Sequence, residues 1–89
     1  MDLNECRLEL DRIDRELVSL YCERMRIAEH VAEYKRAHSL PVLDSSREAQ
    51  KLDAVAALAD KDLQESVRAL YEKIMELSRA HQSARLGRE

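Results

Sequence analysis

Three observations predict an all-α fold of three helices, long, short and medium, completed by a second copy of the chain. One glycine, one proline, no Phe and no Trp among 89 residues leave too few turn formers and strand-favouring aromatics for a sandwich, a barrel or a doubly wound sheet. Apolar residues recur at spacings of three and four, the signature of a helix stripe. The first of these stripes is longer than one small domain can cover, and the simplest cover is another copy alongside.

The first helix is expected over about residues 2–39. Asp2 followed by Glu5 fits an N-cap with its capping-box partner. Leu3, Cys6, Leu10, Ile13, Leu17, Leu20, Ile27, Val31 and Tyr34 form a heptad seam with no glycine or proline to interrupt it. Leu40 precedes Pro41, which disfavours helix, so the element ends near Ser39. Some 37 residues at ~1.5 Å each make a rod of ~55 Å. A compact chain of this size has a radius of gyration of only ~12 Å, so an obligate homodimer is expected.

Pro41 to Asp44 reads as an extended linker. A second helix follows over about 45–59 with Leu52, Val55 and Leu58 facing inward, then a tight connection from Asp60 to Asp62. The third helix is expected over about 62–84, its seam made of Leu63, Val67, Leu70, Ile74, Leu77 and His81. The polar tail after Ala84 is expected to fray. The whole of 1–89 is expected to be a single, free-standing domain.

Charge and cysteine usage narrow the function. A formal net charge of −3 gives no field that gathers nucleic acid. No apolar run approaches the ~20 residues of a membrane span, and the start carries acids where a secretory signal carries bases. Cys6 and Cys22 fall ~24 Å apart on one helix and cannot bridge within a chain, which suggests reduced thiols and a cytoplasmic protein. His30, His38 and His81 have no ligand-spaced companions, so no metal site is expected. No glycine-rich phosphate loop is present, and Asp11, Arg12, Asp14, Arg15 and Glu16 read as a solvated face.

Cations interrupt the seam where it should be greasiest. Continuing the heptad from Leu17 and Leu20 predicts an apolar residue at position 24, and the chain has Arg24. Lys35 comes eleven residues later, three turns on and on nearly the same side, and Arg7 borders the stripe. Each alone would snorkel, laying its stem on the core and its head in water. Three on one face point instead to an internal site for a small polyanion such as a di-acid.

The stretch Leu43-Asp44-Ser45-Ser46-Arg47-Glu48 is the second informative region. Ser45 with Glu48 makes a capping box, and Asp44 could equally be the cap. A helix start also offers free N–H groups to polar ligand atoms. Arg47 in the first turn opposes the helix dipole, and a ligand carboxylate would explain it. Ser78 and Gln82 add two polar groups one turn apart beside the third seam.

Together the run Arg7 … Ile13-Asp14-Arg15-Glu16-Leu17-Val18 … Glu23-Arg24-Met25 … Val31-Ala32-Glu33-Tyr34-Lys35 … Leu40-Pro41-Val42 … Asp44 … Arg47-Glu48 resembles the all-helical (AroQ) chorismate mutases. The resemblance extends to the E-x-S-R-x-x-Q ending of that family, here Glu76-Leu77-Ser78-Arg79-Ala80-His81-Gln82. It implies an intertwined homodimer with two identical sites and no cofactor. By likeness Arg7 reaches in from the partner subunit, while Arg24, Lys35, Asp44, Arg47, Glu48, Ser78 and Gln82 come from one chain. The substrate implied is chorismate, a dianion, and the product prephenate, on the route to phenylalanine and tyrosine.

In that reading Lys35 and Gln82 are the catalytic donors to the ether oxygen, the arginines clamp the carboxylates, and Glu48 with Asp44 holds the hydroxyl. The connection between the second and third helices is short and lacks the glycine often found there, so the register of Ser78 and Gln82 rests on the ending motif. An isochorismate pyruvate-lyase or an aminodeoxychorismate mutase would use much the same cations. The Asp44–Glu48 stretch, suited to a ring hydroxyl, favours chorismate. A non-catalytic dimerisation module would carry apolar or random residues at positions 24, 35 and 82, unlike this chain.

Overall fold

Helix α1 (Leu3–Ala37) starts where its cap dictates: Asp2 Oδ1 accepts the Glu5 N–H at 2.8 Å. The computed structural model describes residues 1–87. At the other end Ser39 takes a left-handed backbone, φ 54°, and the Leu40 N–H donates to the Lys35 carbonyl at 2.7 Å. That turn folds the segment carrying Pro41 and Val42 back against the last turn of α1.

Helix α2 (Ser45–Leu58) is capped by Asp44, whose Oδ1 accepts the Arg47 N–H at 3.0 Å. Of the two caps the sequence allows, the fold uses Asp44, and Ser45 becomes the first helical residue. A 3₁₀ turn (Lys61–Leu63) leads into helix α3 (Gln64–Arg85). The expected third helix thus begins with a tighter turn, closed by the Leu63 N–H on the Asp60 carbonyl at 2.8 Å. Of the tail expected to fray, Arg88 and Glu89 lie outside the described residues.

Helix α3 packs against both α1 and α2. The interior is small: Met25, Ala28 and Ala32 of α1, Val55 and Ala56 of α2, and Met75 with the polar Ser78 and Gln82 of α3. The molecule measures 53 × 25 × 17 Å with a radius of gyration of 16.0 Å, well above the ~12 Å of a compact chain of its size. The first half of α1 projects beyond the other helices, with Leu3, Leu10, Ile13, Leu17 and Leu20 all exposed. Covering a side chain of this kind is worth about 1.5–3 kcal/mol, so this stripe holds roughly 10 kcal/mol of unrealised burial. None of the helices is long and apolar enough to cross a membrane, among the described residues.

Several residues expected to face inward do not do so within one chain. Ile27, Val31 and Tyr34 are exposed on α1, as are Leu58 on α2 and Leu63, Leu70 and Leu77 around α3. The close helix contacts are made by small or unbranched side chains, Ala28, Ala32, Ala56 and Met75, which let backbones approach. Both cysteines are free, Cys6 half-buried and Cys22 exposed.

Candidate active site

A cavity of about 370 Å³ opens between the second half of α1, the start of α2 and the second half of α3. Arg24 and Lys35 reach it from α1, Asp44, Arg47 and Glu48 from the start of α2, and Ser78 and Gln82 from α3. Seven of the eight residues expected at the site therefore converge on one space. Arg7 is not among its lining residues: it sits 17 positions before Arg24, about 25 Å along the same helix. Ile27, Ala28, Val31, Val42 and Met75 supply the apolar wall.

Two further lining residues, Lys51 and Arg79, were not among the expected site residues. Both were within reach of a spacing argument. Lys51 stands one turn after Arg47 on the same helix, and Arg79 lies inside the ending motif, between Ser78 and Gln82. With them the cavity holds five cations, Arg24, Lys35, Arg47, Lys51 and Arg79, against two carboxylates, Asp44 and Glu48. The surplus of positive charge, in a protein that is acidic as a whole, suits a small dianion.

Local bonds hold these groups in place. The half-buried Lys35 donates from Nζ to the Val42 carbonyl at 2.7 Å, tying the linker to α1. An ammonium has three N–H donors, so two remain for a ligand. The Arg24 guanidinium lies 5.7 Å from the centre of the Tyr71 ring, a cation–π distance. Asp44 spends one oxygen on its cap and keeps the other. Glu48 pairs with Arg79 across the α2–α3 interface. The side chain of Arg47 makes no hydrogen bond or ion pair among the described residues, so its fork is free.

Gln82 and Ser78 are the two polar side chains buried in the interior, each 7% exposed. The Gln82 amide donates from Nε2 to Ser78 Oγ at 3.2 Å. Its Oε1 is buried without a hydrogen-bond partner among the described residues. An unpaired buried amide oxygen beside a cavity calls for a polar ligand or a rotated amide. With a half-turn, the Ser78 hydroxyl would donate to Oε1 and the NH₂ group would take the unpaired position. The short connection before α3 leaves both Ser78 and Gln82 lining the cavity.

Outside the cavity a second cluster fastens α3 to α1. His81, expected on the seam, instead donates from Nε2 to Glu29 Oε2 at 2.8 Å. Arg26 donates to the same carboxylate at 2.7 Å, and Arg85 stands 4.0 Å away. The His81 hydrogen bond, followed by that of Arg26, pulls the Glu29 carboxyl down to about 2.

Residues 6–83 match the family described as chorismate mutase type II. Two characterised relatives are similar over part of their length. The T-protein of Haemophilus influenzae is 36% identical over 70 residues, 73% of this chain and 19% of that protein. The bifunctional chorismate mutase/prephenate dehydratase of Aquifex aeolicus is 35% identical over 57 residues, 64% of this chain and 16% of that protein. This chain thus spans less than a fifth of either relative's matched protein. No solved structure matches it significantly.

Proposed function

Since the chain belongs to the chorismate mutase type II family, we propose that it rearranges chorismate to prephenate, in phenylalanine and tyrosine biosynthesis, at the cavity between its three helices. The observation that carries this reading is the convergence of Arg24, Lys35, Arg47, Ser78 and Gln82 on one cation-rich cleft. The two unbridged thiols suit a reducing cytoplasm.

The chemistry asks for these groups and little else. A Claisen rearrangement is unimolecular: one C–O bond breaks as one C–C bond forms, with no nucleophile, proton transfer, metal or cofactor required. The protein must hold the flexible side chain folded over the ring, and charged forks on two carboxylates do that. Arg24 and Arg47, both lining the cavity, take this task in the reading proposed. The protein must also meet the negative charge that develops on the ether oxygen as its bond to carbon lengthens. The free N–H donors of Lys35 and the amide of Gln82 serve there. The ring hydroxyl donates its one O–H to the remaining carboxylate oxygen of Glu48, with that of Asp44 beside it. The apolar side chains of Ile27, Val31 and Met75 face the same space and lower the local polarity around the charged groups.

A second copy completes the site. The exposed apolar residues of α1 run from Leu3 to Tyr34. A second copy laid antiparallel along them brings the first turns of one α1 beside the half of the other that carries Arg24 and Lys35. Arg7 then arrives at the partner's cavity as a third arginine, and the apolar stripe is covered in the same step.

The test is to follow the ultraviolet absorbance of chorismate with purified protein and to identify the product, with isochorismate and aminodeoxychorismate as parallel substrates. Rapid formation of prephenate from chorismate is expected. Pyruvate release from isochorismate, or turnover of the amino analogue alone, would move the assignment to a sister activity. No acceleration with any of the three would leave a helical dimerisation module.

A further inference from the structure

We infer that Arg79 is a positioning residue for this reaction: it neutralises Glu48 and aims its second oxygen at the substrate, making a carboxylate tolerable in a site built for a dianion. The inference rests on the activity proposed above. Three observations support it. Arg79 and Glu48 both line the cavity, on different helices, and their side chains pair. Both are largely withdrawn from water, with side chains 34% and 26% exposed, so their charges are less screened than those of surface pairs. And Glu48 Oε1 is the atom engaged by Arg79, which leaves Oε2 as the acceptor.

An unpaired carboxylate on the cavity wall would repel the two carboxylates of an incoming dianion and would lack a fixed direction. Arg79 removes both problems without spending a free cation, since Arg24, Lys35, Arg47 and Lys51 remain for the ligand. Its effect on the substrate passes through Glu48. That separates it from a fourth clamping arginine, and from an ion pair that only joins α2 to α3.

The experiment measures kcat and KM for chorismate in the wild type, Arg79→Met, Glu48→Gln, the double variant and Arg79→Lys, with helical circular dichroism as the check on folding. Arg79→Met, which leaves the Glu48 charge unmatched, is expected to raise KM by about tenfold or more. In the double variant the offending charge is gone, so its KM is expected within about threefold of Glu48→Gln alone. Arg79→Lys keeps the charge and should stay within about threefold of the wild-type KM. It carries the test if Arg79→Met does not fold.

Three results would overturn the inference while leaving the activity intact: an unchanged KM in folded Arg79→Met, a double variant with a KM more than about threefold above that of Glu48→Gln alone, or a tenfold rise in KM for Arg79→Lys. The second of these would mean that Arg79 binds substrate itself. A wild-type protein inert toward chorismate would defeat the proposed activity, and the inference with it.

Discussion

Replacing Lys35 with alanine removes two different things, and the structure separates their sizes. The first is the donor that the proposed reaction places at the ether oxygen. Loss of one such donor costs about 10²–10³ in kcat, or about 2.7–4 kcal/mol of transition-state stabilisation. The second is the bond from Lys35 Nζ to the Val42 carbonyl, 2.7 Å long and half-buried. A carbonyl returned to water forfeits little, so this part is about 1 kcal/mol, or about 4–8 °C in Tm for a domain of this size. Lys35→Ala is therefore expected to lose at least a hundredfold in kcat while remaining folded and dimeric. The assay is the initial rate of chorismate loss, beside a thermal melt followed by circular dichroism. Lys35→Arg should also lose at least tenfold, because a planar fork does not replace a point charge that must satisfy Val42 and the ligand together. A folded Lys35→Ala variant within about threefold of the wild-type kcat would refute the assignment of Lys35.

Three further outcomes are expected. The Gln82 amide donates at any pH, so wild-type turnover should be nearly flat from mildly acidic to mildly alkaline conditions. Gln82→Glu should turn over only while its carboxyl is protonated, its rate falling as pH rises, as a pH–rate profile will show. Glu29, held at about 2 in the folded chain against an ordinary 4.5, contributes stability that is complete above the ordinary value and is lost as pH falls from about 4.5 through 2. Urea midpoints of wild type and Glu29→Gln should therefore differ at pH 7 and converge toward pH 2; a constant gap would show that His81 and Arg26 do not act through that carboxylate. Ile13→Asp, in the uncovered stripe of α1, should shift the protein toward monomer in sedimentation and abolish turnover with the cavity residues untouched.

The helices were legible in the sequence because their stops are local chemistry. Asp2 and Asp44 cap, and Pro41 stops α1, so the ends fall within two residues of expectation. The gathering of cations was legible because Arg24 and Lys35 conflict with the apolar stripe that carries them, and the fold brings both to one cavity with Arg47. Which face packs within the chain was less so. A seam read from the largest aliphatics selects Leu70 and Leu77, while α3 buries Met75, Ser78 and Gln82. The long aliphatics of α1 lie on a face that one chain leaves open, and a single sequence does not separate a core that closes within a copy from one that closes between copies. The pairing of Arg79 was not legible, because Glu48 lies 31 residues away on another helix. Nor was that of His81, whose partner Glu29 is 52 residues away on α1.

Whether two copies share one catalytic site is decided by a mixing experiment. Arg7→Ala and Lys35→Ala, each nearly inactive alone, are co-refolded in equal amounts and assayed for conversion of chorismate to prephenate. Random pairing makes half the dimers mixed, and each mixed dimer has one intact site of two, with Lys35 from one chain and Arg7 from the other. Recovery of about a quarter of wild-type activity is predicted. A mixture no more active than its separate components would contradict a site built from both chains.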